Sequence, residues 1–362
     1  MSLNGVAFLS TAIAVGLLLT LLTLVVWNRV PGPRPARVAG RLLLLGLSQA
    51  AAVLVVLVCV NDHYAFYDSW ADLSGGSTPS STRPNTGAAL AGAQTGAGDL
   101  SAVFHAGERG LQVAEPVGAY SQVRGTVLVW LPPQYGEPEH AGERFPVVEL
   151  LPGQPGTPVS WFTAMAGQDA LNRLIGTQQA RPMILVAATS NTLGGADAGC
   201  TDLPGGPRTD TWLARDVPAI VKAHFRASAD PYDWSVMGYS AGGYCAVDLA
   251  VHHPEVFHSA VSISGYNDPV AGVVVNRHPE LIAANSPLRV LRRRSVQPDI
   301  RLLLGGSRED GQTVGDARAL LAALRAPAGG DLLTVAHGGH NMQVWQSMLP
   351  DAFRWLSRQL RQ

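Results

Sequence analysis

Charge is scarce in this 362-residue chain. Only 15% of its residues are Asp, Glu, Lys or Arg, while 47% are hydrophobic. Ordinary soluble domains carry roughly 25% charged residues, so the shortfall points to membrane segments. A basic excess is also missing. The chain has 26 basic against 27 acidic residues, a formal net charge of −1, which argues against nucleic-acid binding. Lysine is almost absent, with Lys222 the single example. Alongside abundant Ala and Gly, that pattern reads as GC-rich coding bias. Cysteine is scarce too. Cys59, Cys200 and Cys245 do not make a disulfide framework. Cys200 and Cys245 could pair only if the fold brought them together, and the sequence reading favours leaving them unpaired. No Cys/His spacing resembles a zinc site, and no cofactor motif is present. His252 and His253 are adjacent and would diverge on a helix. The same composition excludes collagen, coiled coil and wholesale disorder.

What is present begins with two uncharged runs, Val6 to Trp27 and Leu42 to Val60. A bilayer core about 30 Å thick needs roughly 20 helical residues, so both qualify as transmembrane helices. The start, Met-Ser-Leu-Asn-Gly, lacks the basic region of a signal peptide. Arg29, Arg34, Arg37 and Arg41 lie between the runs, which predicts a cytoplasmic loop with both chain ends outside. Pro31, Pro33 and Pro35 are expected to keep that loop from becoming helix. Tyr64, Phe66, Tyr67 and Trp70 suit a membrane interface. Ser74 to Gly98 is rich in Gly, Ser, Thr, Pro and Ala and reads as a flexible tether. The organisation expected is therefore an anchor over 1–60, a linker over 61–98 and a globular domain over 99–362.

In the globular part, short apolar runs alternate with helical patterns. Candidate strands are Thr126–Leu131, Pro146–Leu151, Met183–Ala188, Trp234–Gly238, Ser259–Ser264, Ile300–Leu304 and Leu332–Ala336. Candidate helices are Trp161–Ile175, Thr211–Phe225, Ala241–His252, Val314–Leu324 and Val344–Leu360. This alternation predicts an α/β fold with a mostly parallel central sheet and helices on both faces. The first two strands have no helix between them and are expected to pair as an antiparallel hairpin. In such sheets the chemistry gathers beyond the carboxyl ends of the strands.

Gly238-Tyr239-Ser240-Ala241-Gly242 is a G-x-S-x-G match between a predicted strand and a predicted helix. That context suits a nucleophile elbow, in which the serine sits on a strained turn and its flanking positions must be small. A serine hydroxyl needs a base, and in this architecture the order is Ser, acid, His. His340 lies on the loop after the last strand and is preferred to His337, at the strand end. The acid should follow the strand Ile300–Leu304. Asp310, before Gly311 at a natural turn, is preferred, with Glu309 the alternative. An oxyanion needs two backbone N–H donors. Ala241 would supply one. Gln154 or Gly153 would supply the other, because Pro152 and Pro155 have no N–H.

Leu151-Pro152-Gly153-Gln154, the Gly238–Gly242 elbow and His340-Asn341-Met342-Gln343-Val344-Trp345 together resemble the esterase D and mycolyltransferase group of α/β-hydrolases. The resemblance covers about residues 120–360. It implies acyl-ester chemistry, with catalytic roles at Ser240, His340 and Asp310. Family members often carry a Trp two places after the histidine, where this chain has Met342; Trp345 matches their second Trp. The family's secreted members generally have a cleaved signal, whereas this chain reads as anchored by two spans.

Two weaker features remain. The Gly/Pro-rich segment from Asn191 to Asp210 either lines a cleft or connects elements. Arg289, Arg292, Arg293 and Arg294 form a basic cluster, read as a solvated helical face with anionic lipid or wall polymer as the sharper option. The expectation is an extracytoplasmic, membrane-anchored serine esterase or acyltransferase without cofactor. Its substrate would be an acyl ester, with lipids and cell-envelope glycolipids among the classes. A non-catalytic cell-envelope binding protein on the same scaffold is the alternative.

Overall fold

The computed structural model describes residues 6–64, 102–194 and 196–361. The aromatic patch from Phe66 to Trp70 and the tether Ser74–Gly98 lie outside these residues. Two compact units are present, Met1–Thr78 and Pro79–Gln362.

The first unit is a pair of helices, α1 (Val6–Val26) and α2 (Arg34–Tyr64). Both are long and apolar enough to cross a membrane. The helices touch through small and hydroxyl side chains. The hydroxyls of Thr20 and Ser48 lie 3.0 Å apart, and Thr23 donates to the Leu44 carbonyl. The prolines do less than expected. Pro35 lies within α2, so Arg34, Arg37 and Arg41 are helical and the loop is shorter than predicted. Proline is tolerated in a first helical turn, where its missing N–H would have no acceptor anyway. Arg41 folds back to donate to the Trp27 carbonyl at 2.9 Å.

The second unit is built on one nine-stranded sheet. Its strands are β1 (His105–Ala106), β2 (Gln112–Ala114), β3 (Val127–Trp130), β4 (Val147–Leu151), β5 (Ile184–Ala188), β6 (Trp234–Tyr239), β7 (Ser259–Ile263), β8 (Arg301–Ser307) and β9 (Gly329–Val335). Their order is β1-β2-β3-β5-β4-β6-β7-β8-β9. From β5 onward every pair is parallel; β1, β2, β3 and β5 pair antiparallel. The expected hairpin between the first two predicted strands is absent. β3 pairs with β5, and β4 sits between β5 and β6. Two physical reasons apply. The connection from Leu131 to Pro146 far exceeds the roughly two to five residues of a hairpin loop. β4, Val-Val-Glu-Leu-Leu, is also buried at every residue and therefore belongs in the centre.

The helices are α3 (Gly167–Gly176), α4 (Val217–His224), α5 (Ala241–His252), α6 (Gly272–Arg277), α7 (Pro287–Arg293), α8 (Thr313–Leu321) and α9 (Met342–Gln359). A helical turn at Thr209–Thr211 and a π turn at Trp212–Asp216 lead into α4. α5 packs on β6 and β7, and α9 packs on α3 and β7 to β9. The main core gathers Trp212, Trp234, Tyr244, Phe257 and the inward residues of the central strands. Ala198, Leu203, Ala271 and Val274 make a smaller apolar cluster joining the segment after β5 to α6.

Cys200 and Cys245 form a disulfide, against the sequence reading. Their spacing said nothing because the contact is between a loop and a helix. Cys245 lies one turn into α5, so the bridge ties the 191–210 segment to that helix. At the far end of α5, His252 presents one ring nitrogen to the Asp248 carbonyl at 2.9 Å and the other to the Ala284 carbonyl at 3.0 Å. Acceptors on both sides require protons on both nitrogens. Burial opposes that charge, yet the Asp248 carboxylate at 3.3 Å prevails and the pKa rises to about 9.

Glu149 is the anomaly of the core. It lies in the middle of β4 between Val186 and Val236, fully buried, and neither carboxyl oxygen has a hydrogen-bond partner among the described residues. Burial pushes its pKa well above the ordinary carboxylate range. Between its unfolded and its raised folded pKa the folded chain holds a proton that the unfolded chain has lost, and stability falls as pH rises through that interval. Replacing it by an apolar side chain of similar length, Glu149→Met, should raise stability by about 1–3 kcal/mol. Melting curves at pH 5 and pH 8 check this, with the larger gain expected at pH 8. An equal gain at both would mean that Glu149 adds no proton uptake on folding.

Candidate active site

The turn between β6 and α5 carries Ser240 at φ 54° and ψ −123°. A non-glycine residue rarely adopts this backbone, and it stores on the order of 1–3 kcal/mol. The neighbouring glycines show why the turn tolerates it. A Cβ on Gly238 would strike the Gly242 carbonyl, and one on Gly242 would strike the carbonyls of Leu151 and Pro152. Ser240 N–H donates to the Ile263 carbonyl at 2.8 Å, fixing the turn to the end of β7.

His340 lies between β9 and α9. Asn341 caps α9, its side chain accepting from Val344 N–H at 3.1 Å. The Nε2 of His340 is 2.8 Å from Ser240 Oγ, and its Nδ1 is 3.0 Å from both oxygens of Asp310. Asp310 is buried, with 6% exposure, and follows β8. Burial alone would raise its pKa, but the hydrogen bond of His340, together with Ser264, the His340 charge and Thr313, outweighs that and holds the carboxyl below its ordinary range. An ionised Asp310 only accepts, so His340 Nδ1 carries the ring proton and Nε2 is left to accept from the serine hydroxyl.

Glu309 is placed differently. Its carboxylate accepts from His337 Nδ1 at 2.9 Å and from Gly338 N–H at 2.8 Å. These bonds, Gly338 first, hold its pKa below the ordinary range. His337 and Glu309 thus brace the loop that presents His340, and neither reaches Ser240.

Gly153 and Gln154 follow β4 directly. A Cβ on Gly153 would stand 3.0 Å from Ser240 Cβ and from the Tyr239 ring, so this loop passes over the nucleophile turn with no room for a side chain. Asn191 steadies the loop, donating to the carbonyls of Gly156 at 2.7 Å and Gly153 at 3.3 Å. Ala241 is the first residue of α5. Gly243 and Tyr244 N–H bond the Ser240 carbonyl, while the leading N–H groups of a helix have no intrahelical acceptor.

Aromatic rings form the floor. Trp345 meets the His340 ring edge-on at 4.8 Å and stacks on Tyr239 at 4.8 Å; Tyr239 touches Trp161 at 5.4 Å. The Tyr239 and Ser160 hydroxyls are 2.9 Å apart. Sequence reasoning missed Asn191 and Trp161. A lone Asn after a strand carries no pattern of its own, and Trp161, expected to begin a helix, instead ends the short turn Pro158–Trp161.

Comparisons with known proteins agree with this architecture. Residues 120–356 match the family model described as "Putative esterase". An uncharacterized protein of Corynebacterium glutamicum is 26% identical over 248 residues, covering 63% of this chain and 56% of that protein. The chain thus spans little more than half the length of the curated relative it matches. Among solved structures, a ferulic acid esterase aligns with TM-score 0.59 at 18% identity, covering 72% of this chain and 98% of its own. The S-formylglutathione hydrolase of Agrobacterium tumefaciens gives 0.56 at 16%, covering 72% and 99%. Mycobacterium tuberculosis MPT51 gives 0.50 at 17%, covering 72% and 100%. With the family match spanning most of the chain, the chain belongs to this esterase family and has the α/β-hydrolase fold.

Proposed function

We propose that the chain is a membrane-anchored serine esterase or acyltransferase that works outside the cytoplasm on acyl esters through Ser240, His340 and Asp310. The observation that carries this reading is the continuous relay from Ser240 Oγ through His340 to buried Asp310, at 2.8 Å and 3.0 Å. Ser240 Oγ attacks the ester carbonyl carbon while its proton passes to His340 Nε2. Asp310 holds the tautomer and stabilises the imidazolium. The backbone N–H groups of Ala241 and Gln154 receive the oxyanion. Collapse releases the alcohol, which takes the proton from Nε2, and leaves the acyl group on Ser240. Water or an acceptor alcohol then repeats the sequence in reverse. Lipids and cell-envelope glycolipids fit as substrates reachable by an anchored enzyme.

The proposed topology keeps Arg29, Arg34, Arg37 and Arg41 on the cytoplasmic side and 61–362 outside, following the excess of arginine between the spans. The Cys200–Cys245 disulfide supports it, because such bonds persist in oxidising compartments. In protein isolated without reductant, maleimide should modify Cys59 alone, as read by mass spectrometry. Free thiols at Cys200 and Cys245 would place the domain in a reducing compartment. Cys200→Ser with Cys245→Ser should lower stability by about 2–4 kcal/mol.

Ser240→Ala should abolish labelling by a fluorophosphonate probe and reduce turnover of short p-nitrophenyl esters by on the order of 10⁶. Retention of more than about a tenth of the native rate would make the elbow a purely structural turn.

Asp310→Asn keeps the shape of the acid but leaves the imidazole in the wrong tautomer, so the rate should fall by roughly 10²–10⁴. Glu309→Gln should cost less than about tenfold, since an exposed charge contributes little. Rates are compared at equal distance below each melting temperature. A Glu309 variant as crippled as the Asp310 variant would reassign the acid.

A further inference from the structure

The arginine cluster noted in the sequence divides in the structure. Arg289 forms an ion pair with Asp268 at 2.9 Å and leaves the cluster. Arg292, Arg293 and Arg294 end α7, and Arg325 follows α8; among the described residues none of these four has a carboxylate within ion-pair distance. Nearby carboxylates are already engaged. Asp299 pairs with Arg301 at 3.1 Å, and Asp331 accepts from the Trp355 indole at 2.7 Å.

The helix ends that carry these arginines are joined by a buried side chain. Gln297 is 2% exposed. Its amide donates to the carbonyls of Leu291 at 3.0 Å and Ala323 at 2.8 Å, and its oxygen accepts from Arg325 N–H at 2.7 Å. Arg325 in turn donates to the Arg294 carbonyl at 2.6 Å. The carboxyl ends of α7 and α8 are thereby clamped side by side. Val296, next to Gln297 in the chain, is 76% exposed. Arginines without a carboxylate partner thus share this pair of helix ends with an exposed apolar side chain. That combination suits a surface with phosphate anions above hydrocarbon.

The position in the fold says which surface. α7 leads into β8, and the segment after α8 leads into β9, so the arginines lie at the amino ends of the parallel strands. The chain enters the unit at that pole too: Phe104 packs on Phe225 at 4.8 Å and His224 at 5.4 Å, at the corner between α4 and β6. Ser240 and His340 lie at the opposite pole, beyond the carboxyl ends.

We propose that Arg292, Arg293, Arg294 and Arg325, with the exposed Val296 beside them in the chain, dock the catalytic unit onto the anionic lipid surface of the membrane that anchors it. The proposal rests on the anchored reading above. Docked by this pole, the unit directs Ser240 away from the bilayer, toward substrates further out in the envelope.

The test uses the full chain in lipid nanodiscs. Val296→Cys in a Cys59→Ser background carries a fluorophore, and the discs contain a headgroup-linked nitroxide quencher. Quenching is expected in discs containing phosphatidylglycerol and not in discs of phosphatidylcholine alone. About 0.5 M salt should remove it, because the Debye length falls to a few ångströms. Adding Arg292→Gln, Arg293→Gln and Arg325→Gln should lower the docked-to-free ratio by roughly a hundredfold, with ester turnover unchanged within about twofold. Equal quenching in both lipids, or none in either, overturns the proposal. A chain that does not co-purify with the discs removes the anchor and the docking together; co-purification without quenching removes the docking alone.

Discussion

The site depends on how closely the chain leaving β6 passes the ends of its neighbours. Gly242 lies against the carbonyls of Leu151 and Pro152, and Gly238 lies against Gly242. That approach forces Ser240 to φ 54° and lifts its hydroxyl clear of the sheet. A parallel sheet makes this possible, because β4, β6 and β7 all end on the same side. β4 then continues directly into the Gly153–Gln154 loop, and β7 supplies the carbonyl that holds Ser240 N–H. Burial of the surrounding apolar side chains offsets the backbone strain. α5 is buried along nearly its whole length, so a change at the turn would have to move a core helix.

That helix is fastened at both ends. Near its start Cys245 is bonded to Cys200, and the Tyr244 hydroxyl donates to the Asn285 carbonyl at 2.7 Å. Near its end the charged His252 bridges to Ala284. The disulfide reaches the segment after β5, and the other two ties reach adjacent residues, Asn285 and Ala284, of the segment after β7. Those segments, 191–210 and 266–286, also share the apolar cluster of Ala198 and Leu203 with Ala271 and Val274. They form a wall fixed to the same helix that presents the serine, so wall and nucleophile cannot drift independently.

The central sheet was legible because buried parallel strands are continuous apolar runs, and β4, β5, β6 and β7 lie within about a residue of their predicted limits. α5 was legible at both ends because the elbow sets its start. Ser240, His340 and Asp310 could be named as candidates because the order of strands and loops leaves few places for an acid and a base, and the fold brings the three within hydrogen-bond distance. Three kinds of feature were not legible. β1 and β2 are too short for a period to show. α6 and α7 sit in a segment broken by Pro279 and Pro287, which masks their pattern. The β3–β5 pairing and the Cys200–Cys245 bond are contacts between distant segments, which local patterning does not encode. Glu149 is the sharpest local conflict: a carboxylic acid at the centre of a strand that its neighbours require to be apolar.

One loop offers two adjacent carboxylates, and its backbone sends them to different histidines. After β8 the chain turns at Ser307, whose carbonyl accepts from Asp310 N–H at 3.1 Å and whose hydroxyl accepts from Glu309 N–H at 3.2 Å. Gly311 then takes φ 49°, and Thr313 bonds back to the Asp310 carbonyl. In so tight a turn, consecutive side chains leave in different directions. Asp310 points inward, where its shielded charge can hold an imidazolium; Glu309 points outward, where its charge is largely screened. Yet Glu309 holds His337 and Gly338, just before the histidine that Asp310 holds. Both carboxylates therefore join the same two loops, one through the ring of His340 and the other through the backbone that carries it. The acid loop and the histidine loop are linked twice, so the distance from Asp310 to His340 does not rest on a single hydrogen bond.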